Sequence, residues 1–310
     1  MHTAVVVGSL NMDLVVRTER MPSPGETVRG KAFRTIPGGK GANQAAAIAL
    51  LGAEVAMVGR VGEDAFGPKL VENMASKGVD TAHILSTPDV ASGNAMIIVD
   101  AHGQNSIVIA AGANGQVSRQ DVDACEAILC DADYLVLQLE IPLETVSYAA
   151  EKAAACGTPV MLNPAPAAPI PESLLRQVAY LVPNETEAQT LTGVPVNDLA
   201  SAEQAARQLQ AQGVPVVIVT LGERGALLLT EEKTVHVPAP QVEAVDTTAA
   251  GDAFIGGLVA GLSQGKVLED AVRYACCAGA LAVTRFGAQP SLPSASDVQS
   301  LYARSASSER

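Results

Sequence analysis

The residues with the most chemical promise lie in one short segment, Val245-Asp246-Thr247-Thr248-Ala249-Ala250-Gly251-Asp252-Ala253-Phe254. Small residues run into what reads as a helix start, with an acid just inside it. First-turn N–H groups lack intrahelical acceptors, and the helix dipole adds partial positive charge, so such a start binds anions. Ala249, Ala250 and Gly251 carry no bulk to keep a phosphoryl group off the main chain. Asp252 then stands beside that group, placed to take a proton from an attacking hydroxyl. The same carboxylate can equally do no more than stabilise the helix dipole.

A second segment, Pro37-Gly38-Gly39-Lys40-Gly41-Ala42-Asn43-Gln44, lets the backbone approach a ligand and leads straight into a helix. No Ser or Thr follows the lysine, so it is not a Walker A loop. Asn43 offers a polyol both a donor and an acceptor. The competing reading is a tight turn with a solvated Lys40. Asn11, Asp13 and Glu140 follow apolar strand-like runs, where wound sheets bind ligands; an Asx turn and a solvated strand-end acid are the plain alternatives. Asn184 and Glu187 have the spacing of a capping box, and Glu187 also suits hydrated Mg²⁺ near phosphates. Thr220, Gly222 and Gly225 bound a loop that can cradle a nucleotide or simply turn.

These residues need a scaffold. Apolar runs recur at Ala4–Ser9, Val55–Gly59, Tyr134–Leu139, Val160–Leu162, Tyr180–Val182 and Val216–Leu221. They alternate with helical stretches at Ala42–Leu51, Phe66–Lys77, Arg119–Leu129, Glu144–Ala155, Thr186–Thr192 and Ala202–Gln212. The alternation predicts an α/β fold, a wound, mostly parallel sheet flanked by helices. Gly78, Gly157, Gly193 and Gly213 sit where helix C-caps belong. Two stretches, about 13–35 and 93–110, break the pattern. Their strand-like pieces Leu14–Arg17, Thr27–Phe33, Asn94–Val99 and Ser106–Ala110 predict hairpins that share one small sheet, a lid on an otherwise single domain spanning 1–310. Further helices are expected at Gly251–Leu262, Leu268–Val283 and Ala295–Ala303. Gly256 and Gly257 inside the first of these imply close backbone packing. The polar tail 305–310 reads as frayed.

Composition narrows the function classes. The chain has 310 residues, 48% of them hydrophobic, enough for a full core without staples. Twenty Lys+Arg against 33 Asp+Glu leave a net charge of −13, which argues against nucleic acid and anionic membranes as partners. Any phosphate site must therefore work through local backbone geometry. Aromatics are 3% and Trp is absent, so base-stacking platforms are not expected. No G-x-G-x-x-G is present, which weighs against a dinucleotide enzyme. Four scattered histidines form no zinc motif. Cys125, Cys130, Cys156, Cys276 and Cys277 lack C-x-x-C spacing and read as buried thiols in a reducing compartment. With no signal-like N-terminus and no membrane-length apolar run, a cytoplasmic location is expected.

The motifs together resemble the PfkB-type family of carbohydrate kinases, and the ribokinases within it. The resemblance runs from about Ala4 to Pro293. Its markers are Gly38–Asn43 and Asp246–Asp252, with G-S-L-N-M-D at Gly8–Asp13, P-G-E-T-V at Pro24–Val28, L-Q-L-E at Leu137–Glu140, N-P-A-P-A at Asn163–Ala167, P-N-E-T-E at Pro183–Glu187 and G-A-Q-P-S at Gly287–Ser291. It implies ATP-dependent phosphorylation of D-ribose at the 5-hydroxyl. Asp252 would be the base, and the backbone of Ala249, Ala250 and Gly251 the anion hole. Asn11, Asp13, Gly39, Lys40, Asn43 and Glu140 would bind the sugar. Asn184, Thr220, Gly222, Gly225, Gly251 and Cys276 would lie around ATP, with Glu187 linked indirectly to Mg²⁺. Asp246, Thr248, Ala282, Arg285, Gly287 and Ser291 would hold a monovalent cation, K⁺. The family's lid implies a homodimer. Cys276 stands where relatives often carry His or Asn beside adenine, and Met12 lies between two sugar-contacting positions, where it can tune the pocket. The alternatives are a kinase for 2-deoxyribose or another small sugar, or a non-catalytic sugar sensor on the same fold.

Overall fold

The computed structural model describes residues 2–307. The strands are β1 (Ala4–Val7), β2 (Asn11–Arg17), β3 (Ala32–Gly38), β4 (Val55–Gly62), β5 (Asp80–Thr87), β6 (Gly93–Val99), β7 (Asn105–Ala110), β8 (Tyr134–Leu137), β9 (Val160–Leu162), β10 (Tyr180–Leu181), β11 (Val216–Thr220), β12 (Ala226–Leu229) and β13 (Thr234–Val237). Nine of them form a sheet in the order β13-β12-β11-β10-β9-β8-β1-β4-β5. It is parallel from β5 to β11, and β12 and β13 add antiparallel strands at one edge. This is the wound, mostly parallel sheet that the strand–helix alternation predicts.

The central strands are apolar throughout because both faces are covered. Val5, Val7, Leu135, Leu137, Val217 and Val219 face one core, under the helices Arg119–Ala124, Leu143–Cys156 and Leu199–Ala211. Ala4, Val6, Val136, Met161 and Ile218 face the other, under the helices Lys40–Leu50, Gly67–Ser76, Ala250–Ser263 and Leu268–Ala282. The helix Ala250–Ser263 is wedged between two neighbours. A Cβ on Gly256 would lie 2.9 Å from the Ala47 carbonyl carbon, and one on Gly257 2.8 Å from Ala275 Cα. That contact, closer than any side chain permits, explains both glycines.

The other four strands form a separate small sheet in the order β3-β2-β6-β7. Its register places Leu14 beside Met96 and Met96 beside Val108, with Phe33 opposite Val16 on the same face. That face is apolar yet open: Phe33 is 62% exposed, Met96 58% and Val108 66%.

Several details depart from the sequence reading. The third strand is Ala32–Gly38, not Thr27–Phe33. Its Pro-Gly end reads as a turn, but β3 is an edge strand, and there the missing proline N–H is tolerated. β5 has no predicted counterpart, because as an edge strand its sequence D-T-A-H-I-L-S-T is half polar. The stretch 119–130 divides at Cys125 into two helices. The C-terminal helix runs through Ser307, beyond the expected fraying point, and 308–310 lie outside the described residues. Cys130 and Cys156 are not buried thiols: both are exposed and disulfide-bonded, with Cα atoms 5.2 Å apart. Two helices end side by side there, a proximity that 26 residues of sequence separation conceal. Cys125, Cys276 and Cys277 are buried free thiols.

Candidate active site

The carboxyl ends of the parallel strands open on one side of the sheet, and the predicted residues gather there. Ser9 and Asn11 follow β1, Gln138 and Glu140 follow β8, Asn163 follows β9, Asn184 follows β10 and Thr220 ends β11. Asn184 and Thr220 extend the sheet by one further parallel bridge. Facing these ends is the N-terminus of the helix Ala250–Ser263. Its N-cap, Ala249, is left-handed at φ 62° and ψ 9°, a costly conformation for a residue with a Cβ. Such strain concentrates at functional turns. A Cβ on Gly251 would meet open space, so the helix start borders a cavity.

Two cavities share that border. One, of about 390 Å³, is lined by Asn11, Asp13, Lys40, Asn43, Glu140 and Asp252, among others. The second, of about 410 Å³, is lined by Gly222, Gly225, Val242, Phe254, Cys276 and Ala280, among others. Thr220, Thr247, Ala250 and Gly251 line both. Alternate residues of the small sheet, Ala95, Ile97, Ile107 and Ile109, wall the first cavity with their inner face.

Asp252 is only 5% exposed. Asn43 Nδ2 donates to its Oδ2 at 2.9 Å, and Gln44 Nε2 to its Oδ1 at 3.0 Å. Committing the Asn43 amino group leaves its Oδ1 buried with no protein donor among the described residues. Glu140 accepts from the Ser9 hydroxyl at 2.5 Å and from the Lys40 main-chain N–H at 3.0 Å. Asn114 fixes Asn11. Its Oδ1 accepts the Leu10 N–H at 2.9 Å, and its Nδ2 donates to Asn11 Oδ1 at 2.7 Å. The carbonyl end of the Asn11 amide is thereby committed, and the amino end remains for the cleft.

Charge is dense here. Burial first, then the charges of Glu140 and Asp252, raise the Asp13 carboxyl to about 7. Burial alone would lower the Lys40 ammonium, but Asp252, Glu140 and Glu187 outweigh it and hold it above its ordinary value. Burial raises Glu187, opposed by the Asn184 N–H and Lys40. Asn184 and Glu187 also close the predicted capping box, with Glu187 N–H donating to Asn184 Oδ1 at 2.8 Å.

Around the second cavity, Cys276 is buried with Sγ 3.9 Å from the Val237 carbonyl. Burial, helped by Cys277, pushes its thiol up to about 12, so it stays protonated and inert. Of the six positions implied for a monovalent cation, three are joined: Thr248 Oγ1 donates to Asp246 Oδ1 at 2.6 Å, and Gly287 N–H to Asp246 Oδ2 at 2.9 Å. Burial opposes ionisation of Asp246, but these donors and Arg17 win and depress it. Arg285 N–H meets the Ala282 carbonyl at 3.3 Å, and its guanidinium reaches toward exposed Asp297. Buried Ser291 bonds to the Ala288 carbonyl. Among the described residues, no three His, Cys, Asp or Glu cluster as a metal site. Met12 departs from expectation: it is buried in the core under the sheet rather than in the cavity wall. In a strand with alternating faces, its neighbours Asn11 and Asp13 take the open side.

The family model for pfkB carbohydrate kinases matches residues 1–295. The chain belongs to the pfkB family of carbohydrate kinases. Among this family's members, a ribokinase of Haemophilus influenzae is 42% identical over 291 residues, covering 94% of this chain and 95% of that protein. A deoxyribokinase of Salmonella typhi is 43% identical over 290 residues, covering 93% and 95%. The structure of Arabidopsis thaliana ribokinase complexed with ribose and ATP superposes with a TM-score of 0.90 at 37% identity, covering 97% of this chain and 98% of that one. No helix among the described residues is long and apolar enough to cross a membrane.

The sequence reading missed Asn163, which lines the first cavity, and Ser9, Gln44, Asn114 and Gln138, which stand behind it. Ser9 bonds to Glu140, Gln44 to Asp252, Asn114 to Asn11 and Gln138 to Gln44. Gln44, Gln138 and Asn163 stand inside quoted motifs. Asn114 carries no local signal, because its partners are about a hundred residues away.

The charge cluster makes a test possible. Carboxyl NMR of the free protein is expected to show Asp13 titrating near 7. Glu140→Gln removes one raising charge and should lower that midpoint, while burial keeps it above the ordinary carboxylate range. An Asp13 midpoint near 4 in the parent protein would contradict the burial described.

Proposed function

We propose that this kinase transfers the γ-phosphoryl group of ATP to the 5-hydroxyl of D-ribose. The observation that carries the reading is the junction of two cavities at the start of the helix Ala250–Ser263, with a buried carboxylate on one side of it. ATP occupies the cavity near Thr220, Gly222, Gly225 and Cys276, with Asn184 beside its phosphates. The sugar occupies the other, held by Asn11, Asp13, Gly39, Lys40, Asn43 and Glu140. The sugar oxygen attacks the γ-phosphorus, its proton passes to Asp252, and the bond to the bridging oxygen of ADP breaks. Negative charge spreads over the transferring oxygens, and the N–H groups of Ala249, Ala250 and Gly251 stabilise it, Ala250 giving up its 3.3 Å bond to the Thr247 carbonyl.

Mg²⁺, carried by the nucleotide, neutralises phosphate charge. Glu187 is the carboxylate suited to hold its waters. Asp246, Thr248, Ala282, Arg285, Gly287 and Ser291, several of them through carbonyl oxygens, would hold a weakly hydrated monovalent cation such as K⁺, because one carboxylate and neutral oxygens balance a single charge. Such a cation lends positive charge beside the anion hole. The small sheet serves as the lid over the sugar, and its outer face, with Phe33, Met96 and Val108 exposed, joins two chains as a homodimer. Cytoplasmic action, where ATP is made, belongs to the same reading. The 43% identity to a deoxyribokinase favours 2-deoxyribose as the second reading.

Asp252→Asn tests the central step. Turnover of ribose is expected to fall by about 10³-fold or more while ribose binding by calorimetry stays within a fewfold. Near-parental turnover would remove Asp252 from its role. Comparing D-ribose with 2-deoxyribose in the same assay decides between the two sugars. Exchanging K⁺ for Na⁺ at constant ionic strength should lower the rate, and equal rates in both salts would rule out the cation site. Sedimentation should give twice the chain mass, and Val108→Glu should shift it toward the monomer; a monomeric parent protein would contradict the lid interface.

A further inference from the structure

Three polar residues in the quoted motifs have been given no role in holding sugar, nucleotide or cation: Gln44, Gln138 and Asn163, the last of which also lines the first cavity. Gln44 and Gln138 have no solvent exposure, and Asn163 is buried too. They come from a helix start, the end of β8 and the end of β9, and they meet behind Asp252. We propose that they form a one-way amide relay that orients the carboxylate of Asp252, with Gln44 as the positioning residue. The proposal rests on Asp252 being the proton acceptor.

The hydrogen bonds can be oriented without ambiguity, starting from a main-chain atom. The Val182 carbonyl can only accept, so the Asn163 amino group faces it, at 3.0 Å. Asn163 Oδ1 must then face Gln44, whose Nε2 donates to it at 3.1 Å. The second hydrogen of the same Gln44 amino group reaches Asp252 Oδ1 at 3.0 Å. With its amino group committed twice, Gln44 turns its Oε1 the other way and accepts from Gln138 Nε2 at 2.6 Å. Gln138 Oε1 is left buried with no donor among the described residues, pressed against Gly8, where any side chain would strike it. Gln138 spends an unsatisfied acceptor to keep Gln44 from turning over. If Gln44 flipped, its oxygen would face two acceptors, Asp252 and Asn163.

Two consequences follow. The carboxylate is pinned on both oxygens, by Gln44 at Oδ1 and Asn43 at Oδ2, so its plane is set before the sugar arrives. Preorganisation of this kind contributes to the rate rather than to substrate affinity. In addition, side-chain amides neither accept nor pass on a proton at neutral pH. The amides behind Asp252 offer its proton no exit through the interior, so it leaves on the substrate side.

The test is steady-state kinetics of Gln44→Met and Gln138→Met beside Asp252→Asn, with thermal midpoints for each. Methionine keeps the volume and removes the hydrogen bonds. Gln44→Met is expected to lower kcat by about tenfold to a hundredfold, with KM for ribose and for ATP each within about threefold. Gln138→Met leaves the Asp252 contact in place but strips Gln44 Oε1 of its donor, which loosens Gln44, so a smaller fall in kcat alone is expected. Should Gln44→Met fail to fold, Gln138→Met decides by the same split. Unchanged kcat in the folded glutamine variants, with Asp252→Asn inactive, would overturn the relay and leave the base intact. A rise in KM parallel to the fall in kcat would make the residues merely structural and overturn it as well. Near-parental turnover in Asp252→Asn would overturn both.

Discussion

A carboxylate buried where two cavities meet, that of Asp252, constrains this molecule more than any other feature. An unpaired buried charge costs several kcal/mol, of the order that separates folded from unfolded protein. Asp252 is held by two amide donors, Asn43 and Gln44, and Gln44 in turn by further amides until the chain of dependence ends at a main-chain carbonyl. The two donors come from one helix start, and the amides behind them from the ends of β8 and β9. The order of strands β10-β9-β8-β1 brings those segments to one edge, and the glycines of the helix Ala250–Ser263 let it approach its neighbours closely enough to seat Asp252 among them.

The surrounding electrostatics follow from the same constraint. The protein carries a net charge of −13, and its site gathers Asp13, Glu140 and Glu187 around the partly buried Lys40. Such a field disfavours an incoming polyphosphate. The local feature that favours an anion is the start of the helix Ala250–Ser263, with its dipole and its left-handed N-cap Ala249. Asp13, raised to about 7 by burial and its acidic neighbours, records the strength of that crowding.

Much of this architecture was legible in the sequence because it rests on local signals. Continuous apolar runs announce β1, β8, β9 and β11, and Gly157 and Gly193 take the left-handed caps expected of them. The glycine-rich segment Pro37–Gln44 and the small-residue segment that leads to Asp252 stand out because each places small residues at the start of a helix. The rest depends on distance in the chain. β5 and β3 are edge strands without an apolar run, the Cys130–Cys156 pair joins helix ends that only the fold makes neighbours, and Met12 is placed by strand alternation. The amides behind Asp252 were hidden for a further reason: Gln and Asn are ordinary surface residues until a fold buries them, and their side-chain partners are 94 to 208 positions away.

The most direct measurement is phosphorus NMR of a reaction containing D-ribose, ATP, Mg²⁺ and K⁺. The account predicts one new phosphomonoester for each ADP, split by the two protons on ribose carbon 5. Inorganic phosphate released with ADP, an ester at carbon 1, or ribose bound without turnover would each contradict it.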